Sequence, residues 1–107
     1  MSVHEITVEQ LENLMAAGAH VVDVRETDEY VGGHVPGAVH VALSTVPDHV
    51  DVFRAGSPTY VICQAGGRSM RACEFLAAQG VDVVNVAGGT GAWINSGRAV
   101  VSGSSPE

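Results

Sequence analysis

Apolar positions along the chain fall into two alternating patterns. Short apolar, β-branched runs recur at HEI (4–6), HVVDVR (20–25), GAVHVAL (37–43), TYVIC (59–63) and DVVNV (82–86), and each predicts a strand. Between them the spacing changes to that of helices. The stretch VEQLENLMAAG is predicted to open with a capping box, Thr7 with Gln10, and to close at Gly18. SMRACEFLAAQG, stopped by Gly80, places Met70, Cys73, Leu76 and Ala77 on one buried face. ETDEYVGG predicts a short acidic helical turn ended by two glycines. TVPDHVDVFRAG predicts a short helix starting around Pro47 and Asp48 and ending near Gly56, and GGTGAWINSGRAV a glycine-broken helical turn.

Strands that are apolar throughout and alternate with helices indicate a parallel sheet covered on both faces. The predicted architecture is a three-layer α/β domain over residues 1–101, followed by a flexible tail, SGSSPE (102–107). A chain of 107 residues is long enough for one core and too short for two.

Composition narrows the function classes. With 46% hydrophobic and 16% charged residues the chain is an ordinary globular one. Its formal charge is −7, and its five fixed cations, Arg25, Arg54, Arg68, Arg71 and Arg98, are dispersed, which argues against nucleic acid or an anionic membrane as partner. The opening MSVHEITVEQ has neither a basic region nor an apolar one, and no later segment has the length of a membrane span, so a cytoplasmic location is expected. Two cysteines do not make a disulfide framework, and in the cytoplasm they would be reduced thiols. The five histidines, His4, His20, His34, His40 and His49, lack metal-ligand spacing, and no metal site is expected.

The chemistry concentrates in VICQAGGRSM (61–70). Cys63 ends a predicted strand, and in open parallel sheets ligands sit outside the carboxyl ends of strands. A helix beginning near Ser69 would aim unpaired N–H groups at the thiol and favour thiolate. Gly66 and Gly67 let the backbone fold into an anion nest, and Arg68 would stand at the mouth to attract an oxyanion. Taken alone, this arrangement leaves both a reactive site and a buried structural thiol open.

Four stretches in order, VVDVRETDEY, GGHVPGAVHV, CQAGGRS and VAGGTGAW, give a resemblance to the rhodanese-like domains, single-domain sulfurtransferases, from about residue 4 to about residue 101. The resemblance implies a five-stranded parallel sheet flanked by helices. It further implies that Cys63 accepts sulfane sulfur from a donor such as thiosulfate and passes it, as a persulfide, to cyanide, a thiol or a protein. By the same resemblance Gln64, Ala65, Gly66, Gly67, Arg68 and Ser69 surround the persulfide, Arg68 is the substrate-binding cation, and no metal or organic cofactor is needed. Asp23, Arg25, His34, Pro36 and Gly37 match framework motifs and are read as structural.

Two alternatives stand beside this reading. Phosphatases and arsenate reductases also use cysteine–arginine loops, but with five intervening residues, whereas four separate Cys63 from Arg68. A non-catalytic or carrier module binding a partner protein is the other, and the retained cysteine argues for activity. Cys73 is read as a structural thiol, with a resolving role as the lesser possibility. Trp93 is expected to pack the last helix onto the sheet. VAGGTGAW does not follow the dinucleotide fingerprint.

Overall fold

The computed structural model describes residues 2–107. Five strands, β1 (His4–Ile6), β2 (His20–Asp23), β3 (Val39–His40), β4 (Thr59–Ile62) and β5 (Val83–Val86), form one sheet in the order β1-β5-β4-β2-β3. Every pairing is parallel, with Val21 opposite Tyr60 and Val61 opposite Asn85 at the centre. Four α-helices connect them: α1 (Val8–Ala16), α2 (Thr27–Gly32), α3 (Gly67–Ala78) and α4 (Gly89–Asn95).

The apolar runs are continuous because both faces of the sheet are buried. Val22, Val24, Val61, Cys63 and Val83 pack into one cluster with Ala72, Cys73 and Leu76 of α3. Their neighbours Val21, Tyr60, Ile62 and Val86 pack into a second, with Leu11 of α1 and Trp93 of α4. Trp93 also donates its indole N–H to the Ala99 carbonyl at 2.8 Å. The result is the three-layer α/β domain expected, and because the strands are parallel, the segments that follow β2, β4 and β5 all emerge at one edge of the sheet.

Several element boundaries differ from expectation, each for a local reason. α1 opens with the Thr7–Gln10 capping box as read. The segment expected as one short helix is two 3-10 turns, Leu43–Asp48 and Val50–Arg54, because Pro47 lies inside the first and His49 leaves helical geometry at φ −131°, ψ 33°. β3 is only two residues long, although the backbone continues beside β2, with Val41 and Leu43 donating to the carbonyls of Asp23 and Val24. α3 begins at Gly67 rather than near Ser69, capped by Gly66 in the left-handed conformation at φ 108°. Residues 102–107, expected as a flexible tail, instead fold back onto the domain. Gly103 donates to Val31, Gly37 donates to Pro106, and His34 Nε2 lies 3.2 Å from the Pro106 carbonyl. The Gly37 N–H, in the loop after α2, and the Val31 carbonyl, in the last turn of α2, are the backbone groups that anchor this segment.

Candidate active site

Cys63 follows the last residue of β4, in a loop that must turn at once into α3. Gly66 makes the turn, and its positive φ is a conformation a side chain would strain. With the chain so bent, the Gly66 N–H donates to Cys63 Sγ at 3.1 Å. The Ser69 hydroxyl, one turn into the helix, lies 3.3 Å from the same sulfur and 3.3 Å from the Gly66 carbonyl. That hydroxyl has one proton to give, and an anionic sulfur is the stronger acceptor of the two.

The electrostatics of the thiol follow from these contacts. Burial, the largest influence, pushes its pKa up, for Cys63 is only 1% exposed. The Ser69 hydroxyl and the backbone N–H groups of Ser69, Gly66 and Ala65 act the other way, and together they bring it below the ordinary thiol value. A buried sulfur held towards its anionic form has the chemistry a nucleophile requires.

A second layer fixes the loop from behind. Thr90 and Gly91, at the start of α4, donate their N–H groups to the carbonyls of Cys63 and Gln64 at 2.8 and 2.9 Å. Gly89 makes that approach possible, since a Cβ there would be driven into those carbonyls. The GGTG stretch is therefore the brace of the loop. Asn85, buried in β5, uses its amide to donate to the Gly66 carbonyl at 3.1 Å and to Glu5 at 2.8 Å. Arg25 forms a buried ion pair with Asp23 at 2.9 Å and donates to the Gln64 side chain at 3.1 Å and the Gly33 carbonyl at 2.8 Å. The pair read as framework thus ties β2, the turn after α2 and the loop together.

Arg68, expected to attract an oxyanion at the mouth, is paired with a carboxylate. Its two terminal nitrogens donate to the two carboxylate oxygens of Glu29, on α2, at 2.7 and 2.9 Å. The Arg68 fork draws the Glu29 pKa down to about 2, against the opposing effect of burial. Gln64, Ala65 and Gly67 are exposed, Gly66 and Arg68 are half-buried, and Ser69 is buried. Sequence reasoning missed Glu29, Asn85 and the bracing role of Gly89. Asn85 left a signal, a polar residue interrupting the apolar run DVVNV; Glu29 left none, being 39 residues from its partner. Among the described residues no group of three or more His, Cys, Asp or Glu side chains is arranged to hold a metal ion.

The model of the family described as "Rhodanese-like domain" matches residues 7–96. The chain belongs to the rhodanese-like family. Among its rhodanese-like relatives, a putative sulfurtransferase of Bacillus subtilis, YtwF, is 35% identical over 95 residues, spanning 87% of this chain and 92% of that protein. The thiosulfate sulfurtransferase GlpE of Pseudomonas entomophila is 37% identical over 89 residues, 82% of each chain. The crystal structure of a rhodanese-related protein from Thermoplasma volcanium superposes with a TM-score of 0.84 at 32% identity, covering 92% of this chain and 97% of that one. The rhodanese-like fold expected from the four motifs is the fold observed.

Proposed function

We propose that this rhodanese-like domain is a sulfurtransferase that carries sulfane sulfur on Cys63 from a small donor such as thiosulfate to a thiophilic acceptor: cyanide, a thiol or a protein thiol. The observation that carries this reading is the cradle at Cys63, where a buried sulfur receives hydrogen bonds from the Gly66 N–H and the Ser69 hydroxyl. Relatives named as thiosulfate sulfurtransferases support it.

In the first half-reaction the Cys63 thiolate attacks the outer sulfur of thiosulfate. A sulfur–sulfur bond forms to Cys63, the bond to the sulfonate sulfur breaks, and sulfite leaves with the electron pair. In the second, the acceptor attacks the outer sulfur of the persulfide, and Cys63 departs as thiolate. With cyanide the product is thiocyanate. Cys63 is the nucleophile, and residues Gln64, Ala65, Gly66, Gly67, Arg68 and Ser69 form the binding loop around the transferred atom. Fixed donors that meet an anion before and after each step need no reorganisation as the charge moves. Residues 1–101 are the working domain, and its setting is the cytoplasm. The reaction as written uses no metal or cofactor. The four-residue spacing to Arg68 makes a loop suited to one sulfur atom, and it places phosphate or arsenate chemistry behind sulfur transfer.

Intact mass after incubation with thiosulfate, before and after cyanide, tests the reading. The expected result is a gain of one sulfur atom that cyanide removes and that the Cys63→Ala variant never shows. No gain on a free, reduced thiol would overturn it and make aryl phosphate hydrolysis the next assay.

A further inference from the structure

The loop cation, Arg68, is held in an ion pair. Glu29 meets the Arg68 fork with both oxygens, at 2.7 and 2.9 Å, so the guanidinium faces α2. Bidentate pairing of this kind fixes direction as well as charge. Glu29 is itself held in place, because Oε1 also accepts the N–H of Glu26 at 3.0 Å. Glu26 adds a second carboxylate acting on Arg68. Each side chain of the pair is about one-third exposed, 33% for Arg68 and 31% for Glu29, so both charges face solvent, and Arg68 is near enough to Cys63 to feel its charge. The carboxylate is ionised throughout the neutral range, and the pair is a permanent feature rather than a pH-gated one.

We propose that Glu29 is a specificity-determining residue, which by engaging Arg68 biases the site against dianionic sulfur donors such as thiosulfate and towards monoanionic ones, organic persulfides and thiosulfonates. This inference rests on the sulfurtransferase reading above. Its physical basis is that Coulomb energy scales with the charge of the ligand. Removing one negative charge from the mouth multiplies the affinity for a monoanion by some factor, and the affinity for a dianion by that factor squared. For partly exposed, partly screened charges the factor is about threefold for the monoanion and about tenfold for the dianion. Methanethiosulfonate is the matching probe: it is thiosulfate with one oxygen replaced by methyl. The Cys63 thiolate attacks its outer sulfur, the persulfide anion forms, and methanesulfinate leaves with the electron pair.

The test is Glu29→Gln, which retains an oxygen to accept the Glu26 N–H, in the full chain. The first measurement does not depend on sulfur transfer. It is the ratio of Cys63 alkylation rates with iodoacetate, an anion, and iodoacetamide, a neutral reagent of similar shape, each followed by mass spectrometry at one pH. Taking the ratio cancels any change in the thiolate fraction. The expected result is a rise of about threefold in the variant, absent when Arg68→Ala is added. The second measurement is KM for the two donors, which should fall about tenfold for thiosulfate and about threefold for methanethiosulfonate. An unchanged alkylation ratio overturns the proposal, as do equal changes for the two donors. A protein that forms no persulfide from either donor refutes the sulfurtransferase reading and the donor bias with it. The alkylation ratio would still decide whether Glu29 screens the mouth.

Discussion

Cys63 and Cys73 stand ten residues apart, belong to the same apolar cluster, and are 1% and 0% exposed, yet their acidities move in opposite directions. Burial acts on both in the same sense. What separates them is the backbone around them. Cys63 lies between a strand end and a helix start, where N–H groups without helical partners point at its sulfur. Cys73 lies inside α3, where the N–H groups are engaged in the helical ladder. With burial unopposed, and the negative charges of Cys63, Glu74 and Glu5 nearby, its pKa is pushed up to about 12. The pair shows that the acidity of a buried thiol is set by the donors it meets.

The largest expected effect from breaking this contrast is on transfer itself. Cys63→Ala should leave no measurable persulfide or thiocyanate formation, while Cys73→Ala should retain the wild-type rate within about threefold and lose about 1 kcal/mol of stability from the packing of one small side chain. Loss of activity in both variants would mean that the two thiols work together. A smaller effect sharpens the comparison from the donor side. Ser69→Ala removes the side-chain donor and leaves the backbone ones, so the midpoint of the iodoacetamide rate against pH should rise, because one hydrogen bond to the charged form is lost. An unmoved midpoint would assign the whole cradle to the backbone.

The smallest effect is on stability at high pH, and here the two thiols have opposite signs. Cys73 is less acidic folded than unfolded. Its contribution is fully present below the unfolded value of 9.0 and is lost as pH rises from there towards about 12. Cys63 is more acidic folded than unfolded. Its contribution is present above 9.0 and is lost as pH falls through the lower folded value. Melting temperatures measured from pH 9 upward should therefore decline less steeply in Cys73→Ala than in the wild type, and identical slopes would show that Cys73 does not titrate in this range.

Much of this was legible in the chain before any coordinates. Runs such as TYVIC and DVVNV announce strands buried on two faces, because a sheet covered on one side would alternate. Thr7 and Gln10 announce a helix start by a contact within one turn. The loop at Cys63 was readable for the same reason: its strand, glycines and helix are consecutive. What the sequence concealed were contacts between distant segments. Glu29 reaches Arg68 from another helix. Gly89 allows α4 to close on Cys63 and Gln64. The last residues dock on the Gly37 N–H and the Val31 carbonyl, and composition alone, rich in serine and glycine, favours the opposite conclusion. The segment expected as one short helix divides at His49, and Pro47 lies inside the first 3-10 turn instead of opening a helix.

The grip of α4 on the loop carries a consequence for traffic through the site. Two helices hold one short peptide from opposite sides, α3 and its cap at the sulfur and α4 at the carbonyls of Cys63 and Gln64. A peptide held by these bonds would have to break them to swing outward. In the proposed cycle the distance must be covered by the cargo itself: each sulfur loaded onto Cys63 places the reactive atom about 2 Å beyond Sγ, one sulfur–sulfur bond length. The unloaded atom is recessed and the loaded one projects. Acceptors would then compete by how slender a nucleophile they can insert, and an idle thiol would be shielded from oxidants too bulky to follow.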